Sequence, residues 1–179
     1  ARSLPEQTKA NYYARYGLDK PLFEQYVIYL KNMLHGDLGE SLVYPGRSVS
    51  QTIAETSPAS ASVGGIALII GLVIGIGAGI IAALNKNKLP DYIVMFIAIL
   101  GITIPVFVLA SLLQYLFAVK LGWLPVSGWG EPKHKVIPVI VLSFSTIATY
   151  ARYIKSSMLD TLSQDYVLTA RAKGLSEFQ

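Results

Sequence analysis

The chain contains no cysteine, so neither a disulfide framework nor a thiolate metal site can form among its 179 residues. Charge is also scarce. Charged residues make up 15% of the sequence and hydrophobic residues 53%, and the mean hydropathy is +0.47. An ordinary soluble domain carries about 25% charged residues. This composition argues against a typical soluble domain and favours a membrane protein.

Three long stretches lack charge altogether. They are residues 56–85, 92–119 and 136–151. A helix needs roughly 20 apolar residues to cross the hydrocarbon of a bilayer. The third stretch is short, but Arg152 and Lys155 can snorkel to the interface from a helix end and so extend it. The predicted spans are residues 59–84, 92–119 and 136–159.

The sequence also lacks the usual catalytic and metal-binding patterns. No Walker A string, catalytic triad or pair of carboxylates spaced for acid–base catalysis occurs. Neither His35 nor His134 has a second metal ligand at helical spacing. Gly75, Gly77 and Gly79 resemble a phosphate loop only superficially, because they lie inside an uncharged helix with no following lysine. We expect no catalytic residue, cofactor or metal. Because no basic cluster is interleaved with aromatic residues, nucleic acid is not an expected partner.

The segment Ser163–Gly174 follows the third predicted span, and its sequence predicts a short, exposed helix. Ser163 is placed to cap its first turn, Asp165 to put negative charge there, and Gly174 to close it in a left-handed conformation. Small residues allow another protein to approach the backbone, which favours docking in a partner groove. A helix lying on lipid headgroups is the alternative. The candidate docking residues are Asp165, Tyr166, Val167, Thr169, Ala170, Arg171, Ala172, Lys173 and Gly174.

Residues 165–177, D-Y-V-L-T-A-R-A-K-G-L-S-E, resemble the cytoplasmic coupling loop of membrane subunits of binding-protein-dependent ABC importers. The similarity is to the B-type subunit of the oligopeptide, dipeptide and nickel permease family. Where the wider superfamily has Glu-Ala-Ala, this chain has Leu-Thr-Ala, as is usual in the peptide subfamily. Three further strings match in order: G-D-L-G-E-S at 36–41, G-I-T-I-P-V-F at 101–107 and L-G-W-L-P-V-S-G at 121–128.

The resemblance implies an all-α membrane protein with the type I ABC importer transmembrane domain. Three of about six helices would be present, with one more before Ala1 and two after Gln179. Residues 1–57 would be an extracytoplasmic segment and residues 58–179 the permease domain, ending in a cytoplasmic coupling helix. Basic residues near the span ends favour this orientation. Six lie on the inner side (Lys86, Lys88, Arg152, Lys155, Arg171 and Lys173) and four on the outer (Arg47, Lys120, Lys133 and Lys135).

The implied partners are a second permease subunit, two ABC ATPase subunits that hydrolyse the ATP, an extracytoplasmic substrate-binding protein and the lipid of a bacterial or archaeal inner membrane. Peptide is the expected cargo, with nickel and sugar-derived cargo left open. A bulky charged residue at position 170 is expected to uncouple ATP hydrolysis from transport. A membrane scaffold or assembly factor without transport activity is the alternative function. A secondary transporter, the third possibility, would be expected to carry ionisable residues inside its spans, and the three uncharged stretches contain none.

Patterns within the spans and the outer segment suggest further roles. Glycines recur every four residues in the first span, which predicts a helix-packing face at Gly71, Gly75 and Gly79. Gly101 and Pro105 are expected to break the second span, either as a structural kink or as a bend lining the pathway. Apolar residues at four-residue spacing predict an external amphipathic helix from Pro21 to Gly36. The possible pathway residues are Thr103, Pro105, Ser143, Ser145, Thr146 and Thr149, although interhelical hydrogen bonds explain the last four equally well.

Overall fold

The computed structural model describes residues 6–41, 43–44 and 46–174. Within these ranges the regular secondary structure is helical, apart from one isolated antiparallel bridge between Glu40 and Ser48. The predicted all-α class is therefore confirmed. Contacts divide the chain into two compact units, one within Ala1–Ala59 and the other within Ser60–Gln179.

The first unit contains two short helices and a tight connecting segment. Helix α1 spans Glu6–Tyr16 and α2 spans Leu22–Leu34. Pro21, whose fixed φ suits a helix start, lies directly before α2, and Gly36 follows it with a φ of +82°. Helix α2 thus occupies the positions where the sequence places an amphipathic helix. None of its residues is buried.

Side chains from both ends of the first unit hold the segment between α2 and the next helix. The hydroxyl of Tyr16 accepts a hydrogen bond from the amide of Glu40 at 2.9 Å. The hydroxyl of Ser50 donates to the carbonyl of Gly36 at 2.6 Å. Gly39 is required on two counts, because its φ is +83° and a β-carbon there would lie 2.6 Å from the Tyr16 hydroxyl oxygen.

Two long helices dominate the second unit. Helix α3 spans Val49–Leu84, beginning in the first unit, and α6 spans Pro132–Leu162. At about 1.5 Å per residue, the 36 residues of α3 extend well beyond the roughly 30 Å hydrocarbon layer. Of the described residues, these two helices are long and apolar enough to cross a membrane, and a bent pair between them counts as a third candidate.

The second predicted span, residues 92–119, corresponds to this bent pair of helices. Helix α4 spans Leu89–Thr103 and α5 spans Val106–Leu113, continuing as a π-helix over Gln114–Lys120. The chain bends by 102° between the two halves. Pro105 causes the turn, because it has no amide hydrogen and forces Ile104 out of the helical region, to φ −76° and ψ 120°. Gly101, expected to help break the helix, instead lies buried inside α4.

The contact between α3 and α6 uses residues at four-residue spacing. Val63, Ala67, Gly71, Gly75 and Gly79 are all buried along one line of α3. Ridges of this spacing interlock when two helices cross closely. The buried residues of α6 include Val139, Val141, Ser143, Ala148 and Ala151.

Each glycine of this line is in close contact with α6. A β-carbon at Gly71 would lie 2.5 Å from the side chain of Thr146. At Gly79 it would lie 2.8 Å from the carbonyl oxygen of Ala151. Real β-carbons do not approach other atoms this closely, so the helix crossing requires glycine at these positions.

Candidate docking helix

Helix α7 spans Asp165–Ala172 and follows α6 after a two-residue link. Its start lies two residues later than the sequence predicts. Ser163 caps the end of α6 instead of the start of α7, because its hydroxyl donates to the carbonyl of Asp160 at 2.9 Å. The carbonyl of Gln164 accepts the amides of Val167 and Leu168, at 3.0 and 3.2 Å. Gln164 is therefore the residue from which α7 begins.

The end of α7 is closed by backbone geometry. The amide of Lys173 donates to the carbonyls of Thr169 and Ala170, both at 3.1 Å. Gly174 follows with a φ of +83°, and a β-carbon there would meet nothing within 4 Å. The left-handed dihedral, not space, therefore favours glycine at this position. The side chain of Arg171 and the end of the motif at residues 175–177 lie outside the described part of the chain.

The described side chains of α7 fall on two faces. Val167 and Ala170, three residues apart and so neighbours on a helix, are half-buried. The opposite side is exposed, with Leu168 at 52% and Tyr166 at 65%. Small residues occupy the centre of that exposed side. The exposed residues of α7 and its C-terminal turn are Asp165, Tyr166, Leu168, Thr169, Ala172, Lys173 and Gly174.

An ion pair that the sequence reasoning missed joins α6 to α4. The ammonium nitrogen of Lys155, on α6, is 2.5 Å from Oδ1 of Asp91, on α4. Asp91 is only 3% exposed. Lys155 therefore pairs within the protein, whereas the sequence suggested that it snorkels to the interface. Opposite charges at the same predicted end of two apolar spans were the signal that could have revealed the pair.

The six predicted pathway residues separate into two groups. Ser143 is 4% exposed, and its hydroxyl lies 2.6 Å from the Val139 carbonyl and 3.2 Å from the carbonyl of Ala67 on α3. Together with Thr146, which faces Gly71, it belongs to the contact between α3 and α6. The others lie apart from that contact: Ser145 is half-buried, and Thr103, Pro105 and Thr149 are exposed.

A cavity of about 450 Å³ lies between α5 and the start of α6, and two of its polar side chains form local hydrogen bonds. The side-chain amide of Gln114 donates to the carbonyl of Val126 at 2.6 Å. His134 Nδ1 accepts the amide of Glu131 at 3.2 Å, which caps α6. Across the described ranges, no group of three or more His, Asp or Glu side chains is placed to hold a metal. Among the described residues, the site therefore consists of helix-packing contacts and one short helix with an exposed face.

Comparison with known proteins gives concordant matches. Residues 75–179 match the family described as binding-protein-dependent transport system inner membrane component. The oligopeptide transport system permease protein OppB of Escherichia coli (strain K12) is 43% identical over 176 residues, which is 97% of this chain and 58% of that protein. The dipeptide transport system permease protein DppB of Bacillus subtilis (strain 168) is 42% identical over 178 residues, 99% of this chain and 58% of that protein.

A third relative is similar over a slightly shorter range. The dipeptide transport system permease protein DppB of Lactococcus lactis subsp. cremoris (strain MG1363) is 44% identical over 162 residues, which is 90% of this chain and 54% of that protein. The chain therefore spans just over half the length of these curated relatives.

Proposed function

This chain belongs to the family of binding-protein-dependent transport system inner membrane components, and from that membership we propose that it is part of the permease subunit of an ATP-driven ABC importer of oligopeptides or dipeptides. The observation that carries the proposal is identity above 40% along nearly the whole chain with relatives named as oligopeptide and dipeptide transport permeases. The length and apolar character of helices α3 and α6, which are sufficient to cross a membrane, support the proposal.

The proposed assembly is a multi-pass complex in a bacterial or archaeal inner membrane. It contains a second permease subunit, two cytoplasmic ABC ATPases and an extracytoplasmic substrate-binding protein. ATP is hydrolysed on the ATPases, and this chain contributes part of the translocation path and a docking element. The family description, which names both a binding protein and the inner membrane, supports this arrangement.

In this proposal α7 docks into a cleft of one ATPase. Its exposed small residues, Thr169 and Ala172, support the assignment because they let a partner surface approach the helix closely. Tyr166 and Leu168 are exposed apolar anchors beside them. Aromatic and apolar side chains that become fully desolvated supply most of the free energy of such contacts. Val167 and Ala170 face back toward the chain and orient α7.

Movement of the ATPases then reaches the membrane through α6. Only two residues separate α6 from α7, so a displacement of the docking helix moves the end of α6. The tight contacts of Gly75 and Gly79 make α3 follow, because closely packed helices move as a unit or shift between discrete arrangements. Thr103, Pro105 and Thr149, which are exposed, remain candidates for the pathway, whereas Ser143 and Thr146 support helix packing.

Peptide uptake by the complete transporter tests the proposal. The full-length subunit is assembled with its partner permease, ATPases and binding protein in lipid vesicles, and labelled di- and oligopeptides are offered from the outer side. We expect uptake that requires both ATP and the binding protein. Vesicles without ATP, and vesicles with the binding protein omitted, are the controls. An intact assembly that imports no peptide would contradict the proposal and favour the scaffold alternative.

A further inference from the structure

Asp91 is an unusual residue for its surroundings. It lies in the first turn of α4, a helix whose other residues are mostly apolar, and is only 3% exposed. Carboxylates are almost never buried to this degree unless they are paired. Its position near a helix N-terminus is favourable for a negative charge, but that effect alone does not compensate for full burial.

Both carboxylate oxygens of Asp91 are engaged. Oδ1 lies 2.5 Å from the ammonium nitrogen of Lys155, whose side chain is 20% exposed. Oδ2 accepts the amide of Asn87 at 3.0 Å, and Asn87 holds the turn before α4 with a φ of +62°. The pair therefore joins three features: the turn after α3, the start of α4 and the inner half of α6.

The position of the pair along the two helices matters. Lys155 lies two turns before the end of α6 at Leu162, and α7 begins directly after that end. Asp91 lies at the start of α4, whose other end is the 102° turn at Pro105. Through this pair, a displacement of α7 can be transmitted from α6 to α4 and so to the bend at Pro105.

We propose that Asp91 and Lys155 are positioning residues that make α4 move with α6, so that the docking helix drives the turn at Pro105 as well as α3. This inference rests on the proposed function, because it assigns the pair a part in coupling ATP hydrolysis to peptide import. The pair stays closed throughout the transport cycle. Separating two charges in a nearly dry site is costly, because each charge would be left buried without its partner.

The other contacts of α4 support the view that the ion pair connects the start of α4 to α6. Farther along the helix, Gly101 packs on α6, where a β-carbon would lie 2.7 Å from that of Ala148. That contact depends on shape alone, and it lies near the Pro105 turn. The ion pair adds a directional link at the opposite end, nearer to α7.

The test uses the complete transporter in vesicles and measures ATP hydrolysed per peptide imported. The central variant is Asp91→Asn/Lys155→Met, which removes both charges and leaves no unpaired one, so assembly is expected to persist. Arg152→Met is the matched control, because Arg152 is an exposed basic residue on the same helix. We expect the double variant to assemble and to hydrolyse ATP, with about tenfold more ATP used per peptide. The Arg152 control is expected to keep the wild-type ratio.

A covalent bridge provides the second measurement. Because these 179 residues contain no cysteine, Asp91→Cys/Lys155→Cys introduces a unique pair here, once any cysteines elsewhere in the assembly are replaced. Before bridging, this variant is expected to be as poorly coupled as the neutral pair. A short bifunctional thiol reagent should then restore the wild-type ratio, because it reinstates the connection without the charges. Because the variant must assemble and hydrolyse ATP before it is bridged, a restored ratio reports on coupling and not on recovery of the fold.

Three results would overturn the inference. They are wild-type coupling in the neutral double variant, failure of that variant to assemble, and loss of transport when the cysteines are bridged, which would show that the two positions separate during the cycle. In all three cases the wild-type transporter still imports peptide. Absence of peptide uptake by the wild type itself would instead contradict the proposed function, and the inference with it.

Discussion

Small residues occur on two helices of this chain in opposite situations. On α3, Gly71, Gly75 and Gly79 are buried against α6, with no room for a β-carbon. On α7, Thr169 and Ala172 are exposed to solvent. In both places the short side chains permit close approach to the backbone. On α3 the approaching surface is part of the same chain, while on α7 the proposed approaching surface is that of an ATPase.

The comparison separates a structural constraint from a functional one. Where a neighbouring helix occupies the space that a side chain would need, glycine is required for folding, and its replacement destabilises the chain itself. A small residue on a free surface reports on a partner, and its replacement leaves the isolated chain nearly unchanged. Stability and partner binding should therefore respond to different substitutions.

Replacement of Gly79 by leucine should have the largest effect. Its β-carbon would lie 2.8 Å from both the Ala151 carbonyl oxygen and the β-carbon of Ile154, so α3 and α6 must move apart. We expect a cost of at least about 3 kcal/mol and loss of most folded protein. Gly77→Leu is the matched control, because a β-carbon at Gly77 meets nothing within 4 Å. The yield of monodisperse protein and its apparent Tm measure the effect, and equal values for the two variants would contradict the packing assignment.

Replacement of Ala172 by glutamate tests the exposed side of α7. Ala172 is exposed, so Tm should remain at the wild-type value. A bulky charge there should block docking into the proposed ATPase cleft. We expect ATPase binding to weaken by about 2 kcal/mol or more, with a matching loss of peptide uptake. Co-purification of the ATPase and uptake by vesicles measure this.

Two further substitutions sharpen that result. Ala172→Ser keeps the residue small and should retain ATPase binding. Ala170→Glu, suggested by the sequence alone, should lower both binding and Tm, because Ala170 is half-buried. Unchanged ATPase binding by the Ala172→Glu variant would remove α7 from the docking surface.

Much of the architecture could be predicted because it follows from local patterns. Uninterrupted apolarity predicts the α3 and α6 helices, and Pro21 with Gly36 sets the limits of α2. The glycine spacing on α3 indicated a packing face without identifying its partner. The residues of that partner, α6, lie far along the chain, with Ser143 76 positions from Ala67, and no periodicity within one helix specifies them.

Where the sequence reasoning differed from the structure, contacts or backbone geometry decided the outcome. Gly101 was expected to break the second span together with Pro105, but it lies buried within α4, and the 102° bend follows the extended Ile104. Ser163 has the character of an N-cap and lies between two helices, and its hydroxyl bonds backward to Asp160. The pairing of Asp91 with Lys155 joins residues 64 positions apart. Only the packing of α4 on α6 brings them together.

Replacement of Gly174 by alanine should have a moderate effect that involves no steric clash. The φ of +83° disfavours any residue with a β-carbon, although the space around it is open. We expect a cost of about 1 kcal/mol to the end of α7, seen as roughly fivefold weaker ATPase binding. Gly174→Asn should bind more tightly than the alanine variant, because asparagine tolerates this region better. A titration of the ATPase gives both values, and an alanine variant as tight as wild type would show that the end of α7 is unimportant for docking.

Replacement of Ser143 by alanine should have the smallest effect and decides the role of the hydroxyl groups on α6. The buried Ser143 hydroxyl shares its single proton between the Val139 carbonyl of its own helix, at 2.6 Å, and the Ala67 carbonyl of α3, at 3.2 Å. Hydrogen bonds between membrane helices contribute about 0.6 kcal/mol. We expect a small decrease in stability, measured by reversible unfolding in mixed micelles, with normal peptide uptake. Thr149→Ala should do the reverse, because Thr149 is exposed and its hydroxyl bonds only within its own helix, to the Ser145 carbonyl. If instead Ser143→Ala reduced uptake at unchanged stability, Ser143 would belong to the pathway, and part of the covered surface between α3 and α6 would have to open during transport.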